Sequence, residues 1–195
     1  MFKSIFITGL GGQGIVTFAR LITEHASEQG FKVSLFNSKG MAQRGGRVTS
    51  EIRLASDHAF QYGSRISADG ADILVGMEIG EAVNSFSFLK EGGLAVLLNY
   101  AFVPAPMILK KEAYPSFEQV LEIFSQKTDH LFGVADPQNP YNIFLLGVFG
   151  SILKRRPDVL PGFTCEGLKK TISRSMQRNL ETNLKVFQQG STFEW

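Results

Sequence analysis

The segment Gly9-Leu-Gly-Gly-Gln-Gly14 constrains this chain more than any other. It follows a β-rich run, Lys3-Ser-Ile-Phe-Ile-Thr8, and precedes apolar positions at helical spacing (Ile15, Phe18, Ala19, Ile22, His25 and Ala26) that stop at Gly30. Glycines between a strand and a helix permit a tight turn and close backbone approach. The helix start adds free N–H groups and the positive end of its dipole. Gly9, Gly11, Gly12, Gln13 and Gly14 are therefore a candidate anion-binding turn. A chain that opens as strand, turn and helix belongs in an α/β sheet.

The remaining pattern extends that sheet. Lys32–Phe36 reads as a second strand, followed by a polar, glycine-rich loop from Asn37 to Gly46. Arg47–Leu54 alternates at period two, which predicts a half-exposed strand. Ala71–Val75 and Leu94–Leu98 are apolar strands, and between them Ile79–Lys90 reads as a helix stopped by Gly92-Gly93. Ser116-Phe-Glu-Gln119 has capping-box spacing and opens a helix to about Gln126. His130–Val134 is a candidate last strand. Asn139-Pro140 places a capping residue before a first-turn proline. The helix that follows is apolar on nearly every face, from Ile143 to Leu153, so it should be buried; Pro157 and Pro161-Gly162 end it. From Thr164 a single amphipathic helix carries Leu168, Ile172, Met176, Leu180 and Leu184, with Lys169, Lys170, Arg174 and Arg178 off that stripe. The expected fold is α/β: a Rossmann-like, open twisted sheet, mostly parallel, with helices on both faces and a C-terminal helical pair. Residues 1–195 read as one domain.

Composition removes several functions. Twenty Lys and Arg against eighteen Asp and Glu leave a net charge of +2, too little to predict a nucleic-acid or membrane partner. The longest apolar stretch, Ile143–Phe149, is far below the ~18 residues of a membrane span, and the start lacks a signal-peptide pattern. A soluble, cytoplasmic protein is expected. One cysteine, Cys165, cannot ligate an iron–sulfur cluster or support a Cys-rich zinc site. His25, His58 and His130 share no metal-ligand spacing. There is no Gly-x-Ser-x-Gly elbow and no Gly-Lys-Ser/Thr after the glycine turn. A dinucleotide site wants a carboxylate at the end of the second strand, where this chain has Phe36-Asn-Ser-Lys39.

A second signal is Lys39-Gly-Met-Ala-Gln-Arg-Gly-Gly-Arg47, at the carboxyl edge where open α/β sheets bind ligands. Gln43, Arg44, Gly45 and Gly46 join the candidate site, with Arg44 able to offer a guanidinium fork to a phosphate or carboxylate. The same residues also suit an ordinary surface loop. Glu78 and Glu81 lie near the carboxyl end of the Ala71–Val75 strand and specify nothing alone. Cys165, beside the capping Thr164, reads as an idle thiol. Seventeen Phe, among them Phe86, Phe88 and Phe102, exceed what a core of this size needs, which points to a partner-covered surface.

Taken together, Gly9-x-Gly-Gly-Gln-Gly14, Met41-Ala-Gln-Arg-Gly-Gly46, Ser50-x-Ile-Arg53 and Ala71-Asp-Ile-Leu74 resemble the gamma-type domain of the 2-oxoacid:ferredoxin (acceptor) oxidoreductases over essentially the whole chain. The Met-Ala-Gln-Arg-Gly-Gly form is most similar to the beta subunit of the indolepyruvate branch. The resemblance implies a subunit inactive alone, in a complex that oxidatively decarboxylates a 2-oxoacid to an acyl-CoA and passes electrons to ferredoxin. It implies thiamine diphosphate, magnesium and iron–sulfur clusters on larger partner subunits, coenzyme A as co-substrate, and no tightly bound cofactor, metal or catalytic residue here. Two other readings stay open: a stand-alone Rossmann-type nucleotide-binding oxidoreductase, and a non-catalytic interaction module.

Overall fold

The computed structural model describes residues 1–40, 45–56 and 63–194. Six strands form one sheet: β1 (Phe2–Leu10), β2 (Lys32–Lys39), β3 (Arg47–Ala55), β4 (Ala71–Gly76), β5 (Leu89–Leu98) and β6 (Leu131–Val134), in the order β2-β3-β1-β4-β5-β6. β1, β4, β5 and β6 run parallel, while β3 is antiparallel to both β1 and β2. The sheet is mixed and mostly parallel, as the sequence predicts.

Strand β3 departs from expectation in its burial. Instead of being half-exposed, it lies between β1 and β2 with Val48 to Ile52 all buried. Its period-two pattern survives because Glu51 is neutralised in place, by Arg65 Nε at 2.8 Å and by the Ile66 N–H. The outer strand is β2, which extends to Lys39 and shortens the predicted polar loop.

Helix α1 (Ile15–Glu28) and helix α5 (Tyr141–Arg155) cover one face. Ile5 and Ile7 of β1 share a core there with Phe18, Leu21 and Ile22 of α1 and with Phe144, Leu145 and Phe149 of α5. Burial of each such side chain is worth about 1.5–3 kcal/mol. The α5 helix is buried along Asn142–Leu153, which the all-round apolar pattern predicts. It begins one residue late, because Pro140 itself takes the capping position with extended backbone.

The other face carries α2 (Ile79–Asn84) and α4 (Phe117–Ser125) over Leu74, Ala95 and Leu97. The capping box at Ser116 and Gln119 is present. The helix expected to reach Lys90 ends at Asn84; Phe86–Phe88 form a 3₁₀ turn, and β5 begins at Leu89. Tertiary packing explains the early stop. Phe86 meets Phe124 edge-on at 5.2 Å, whereas Phe88 stacks on Phe6 at 4.3 Å, so the two rings serve different clusters. Gly92-Gly93 becomes an irregularity inside β5. A short helix unmarked in the sequence, α3 (Ala105–Lys110), has no buried residue.

The predicted single C-terminal helix is two, α6 (Cys165–Ser175) and α7 (Leu180–Ser191), separated at Asn179 with φ 56°. The break lets α7 fold back along α5. Gly147 and Gly190 permit that contact: a Cβ on Gly147 would lie 2.2 Å from the Phe187 carbonyl oxygen. Among the described residues, no helix is long and apolar enough to cross a membrane.

His25 is buried at 1% exposure on α1, edge-on to Phe163 at 4.8 Å. Burial lowers its pKa below 6.5; the Gly162 backbone opposes this and the Arg174 charge adds to it. The folded protein thus binds fewer protons at this site than the unfolded chain. Stability should be full above pH 6.5 and fall as the pH drops below it. Urea melts from pH 5 to 8 check this, and His25→Leu should flatten that part of the profile.

Candidate functional site

The ends of β1, β4 and β5 and the start of β3 meet at one edge of the sheet. Gly9 pairs with Val48 and Leu10 with Arg47, so the glycine turn and the Gly45-Gly46 segment leave the sheet side by side. The Gly11 N–H donates to the Gly46 carbonyl at 2.9 Å. Gln13 is buried, and its side chain braces the turn: Oε1 accepts from the Leu10 N–H and Nε2 donates to the Met77 carbonyl, both at 2.7 Å. Gly9 has room for no side chain, since a Cβ would lie 2.6 Å from Gln13 Oε1.

Gly14 caps α1 with φ 82°, and a Cβ there would lie 2.5 Å from Asn142 Nδ2 at the start of α5. No side chain caps this helix. Gly12, at φ 100°, faces open space. A cleft of about 370 Å³ runs between Gly11, Gly12, Gly14 and the first turn of α1 on one side and Lys39, Gly40 and Gly46 on the other. A second cleft of about 240 Å³ shares Lys39 and Gly40 and continues to Arg47, Thr49, Glu51 and Arg65. Helix-start N–H groups beside a lysine suit an anion.

Most nearby charges are already paired. Arg65 is held by Glu51, and Arg47 Nε lies 3.2 Å from Glu81 while its guanidinium also donates to Ser85 Oγ at 3.0 Å. Burial pushes the Glu81 carboxyl up; Arg47 opposes the rise and the charge of Glu78 adds to it. Lys39 has no ion pair with a described residue. Gln43 and Arg44 lie outside the described residues.

Glu78, buried at 1% exposure, does not face the cleft. Its Oε2 caps α2 by accepting from the Glu81 N–H at 2.8 Å; its Oε1 accepts from the Phe102 N–H at 3.1 Å and the Tyr114 hydroxyl at 2.8 Å. Burial and this hydrogen bond push the Tyr114 hydroxyl well above the ordinary tyrosine range. Tyr114 carries no local signal that marks it in the sequence, and nothing there ties Phe102 to Glu78. Phe102 is 48% exposed, whereas Phe86 and Phe88 pack partly buried within the chain, so only one of the three rings supports a partner-covered surface.

The outlying candidates stay apart from this edge. His130 Nδ1 lies 3.0 Å from the Arg156 guanidinium. The half-buried Cys165 has its thiol pKa raised by burial, the opposite of activation. Among the described residues, no group of three His, Cys, Asp or Glu could hold a metal ion.

Residues 4–193 match the family described as pyruvate ferredoxin/flavodoxin oxidoreductase. The chain belongs to that family. Relatives named indolepyruvate oxidoreductase subunit IorB are 29% identical in Pyrococcus horikoshii and 28% in Thermococcus kodakarensis, each alignment covering 96% of this chain and 93% of the relative. The fold is also that of pyruvate oxidoreductase subunit PORC from Thermotoga maritima, with TM-score 0.63, 19% identity, and coverage of 97% of this chain and 94% of that one. A 2-oxoglutarate:ferredoxin oxidoreductase from Magnetococcus marinus, solved with 2-oxoglutarate, coenzyme A and succinyl-CoA bound, gives TM-score 0.62 at 18% identity, covering 97% of this chain but 30% of that longer one. This chain is thus a member of the pyruvate ferredoxin/flavodoxin oxidoreductase family along nearly its whole length. Both glycine segments of its ligand edge lie inside the matched span.

Gln13→Leu tests the brace. It leaves the Leu10 N–H and the Met77 carbonyl without partners, at a cost of roughly 2–4 kcal/mol in urea denaturation.

Proposed function

We propose that this chain is the small subunit of a complex that oxidises indolepyruvate to an acyl-CoA and delivers electrons to ferredoxin, with no activity of its own. The observation that carries the reading is the cleft between the bare start of α1 and Lys39-Gly40, within a chain whose IorB-named relatives align along nearly their full length. In this reading the cleft takes the phosphates of coenzyme A between Gly11, Gly12 and Gly14, with Gly9 and Gln13 bracing that turn, and Lys39, Gly40 and Gly46 opposite, next to Gly45; Gln43 and Arg44 are assigned to the same site from the sequence.

Among the described residues there is no group of three His, Cys, Asp or Glu that could hold a metal ion, and thiamine diphosphate with its magnesium is placed in this reading on another chain. A chain with one cysteine likewise cannot ligate a [4Fe–4S] cluster. These groups are assigned to a larger partner subunit. The chain's own contribution is to fix an anion by backbone N–H groups at the helix start and to keep it in place beside the partner's reacting atoms. Exposed Phe102, Ile108 and Leu109, just past the end of β5, support a protein partner at this same edge.

Co-expression with the larger subunit, followed by dye reduction, tests the assignment. Activity should require both chains, indolepyruvate and coenzyme A. Stoichiometric iron or thiamine in the purified single chain would overturn it. In the assembled enzyme, Arg44→Ala should raise the KM for coenzyme A roughly tenfold or more, from the loss of a charge-assisted contact of about 1.5–3 kcal/mol, with an unchanged melting temperature. A lower melting temperature with the same KM would make Arg44 structural instead.

A further inference from the structure

Four contacts around the ligand edge form a closed ring. The glycine turn is tied to the second glycine segment by Gly11 N–H donating to the Gly46 carbonyl. Beside that bond, Gly45 adopts φ 68° beneath the ring of Phe102, where a Cβ would lie 3.1 Å from Cε1. The backbone N–H of Phe102 donates to Glu78 Oε1. Adjacent to Glu78 in the chain, the Met77 carbonyl accepts from Gln13 Nε2, which returns the path to the glycine turn.

Glu78 is the buried carboxylate of this ring and draws its donors from three separate segments. The Glu81 N–H comes from α2, the Phe102 N–H from the strap that follows β5, and the Tyr114 hydroxyl from the approach to α4. The strap is anchored a second time, by the Ile79 N–H donating to the Tyr100 carbonyl at 2.9 Å. Tyr114 fits against Gly80 so closely that a Cβ there would lie 2.1 Å from its hydroxyl. A carboxylate is the one side chain that offers two oxygens and no donor, and three converging donors need such a group. Hydrogen bonds to a charged acceptor are also the strong ones.

We infer that Glu78 is a positioning residue: through the Phe102 strap it holds Gly45-Gly46 against the glycine turn and so keeps the anion cleft formed. Glu78 touches no ligand in this arrangement. Its effect on affinity rests on the proposed coenzyme A reading, whereas its effect on the two glycine segments does not.

Amide hydrogen exchange on the full single chain reads the coupling directly. Phe102→Ala removes an exposed ring and should fold normally; Glu78→Gln replaces one acceptor oxygen by a donor. Each should raise exchange at the Gly11 amide tenfold or more while the β1 core amides of Ile5 to Ile7 stay protected. Tyr114→Phe, which keeps the ring and both other donors, should give a smaller rise. In the assembled enzyme, Glu78→Gln, which leaves the exposed Phe102 ring in place, should raise the KM for coenzyme A at least fivefold and by more than it lowers kcat. Unchanged Gly11 exchange in Phe102→Ala overturns the coupling. Faster exchange with an unchanged KM overturns the positioning role. An assembled parent enzyme that turns over without coenzyme A refutes the proposed function instead, and the Gly11 exchange still decides the coupling.

Discussion

The ligand edge depends on how the chain continues its hydrogen bonding after the strands end. β1 pairs with β4 only as far as Thr8 and Gly76, and with β3 as far as Leu10 and Arg47. Beyond those points the backbone would lose its partners in a buried setting, at a cost comparable to a lost hydrogen bond for each group. Gln13 solves one side, because its amide is both donor and acceptor and joins the turn to the residue after β4. The Gly11–Gly46 bond solves the other. The turn is therefore stitched to both neighbours, and the first turn of α1 lines the cleft opposite Lys39 and Gly40.

The second constraint is the insertion of β3. In a conventional dinucleotide fold the second strand lies beside the first, and its end reaches the ribose. Here β3 occupies that place and β2 moves to the outer edge. Asn37, where a ribose-binding carboxylate would be sought, instead accepts a hydrogen bond across the strands from Ser50 Oγ at 2.6 Å. The space that opens beside the glycine turn is lined by Lys39 and Gly40, so the same glycine pattern serves a differently shaped ligand edge. This geometry, with the missing carboxylate, disfavours the stand-alone Rossmann-type nucleotide-binding reading.

What was legible in the sequence was local. The glycine turn, the capping box at Ser116 and the buried α5 each follow from spacing within one segment. Pairings made by distant residues were not legible. Period-two alternation in β3 looks like one exposed face, because nothing near Glu51 announces that Arg65 will neutralise it. The break at Asn179 has neither glycine nor proline to mark it; α7 turns back because Gly147 and Gly190 let it reach α5. Likewise Glu78 reads as an ordinary carboxylate until the strap at Phe102 and the hydroxyl of Tyr114 arrive from 24 and 36 residues away.

Charge at this edge is arranged so that fixed dipoles outweigh free ions. Arg47 and Arg65 are taken up by Glu81 and Glu51, which neutralises two of the cations lining the second cleft. Backbone N–H groups do not titrate, need no ordering when a ligand arrives, and keep their direction in any protonation state of their surroundings. A polyanion can thus be held without a strong surface field, in keeping with a net charge of only +2. On the proposed reading, such a cradle recognises phosphate-like charge and little else. The features that distinguish one 2-oxoacid from another would then belong to the partner surface proposed to cover this edge, where Phe102 sits exposed.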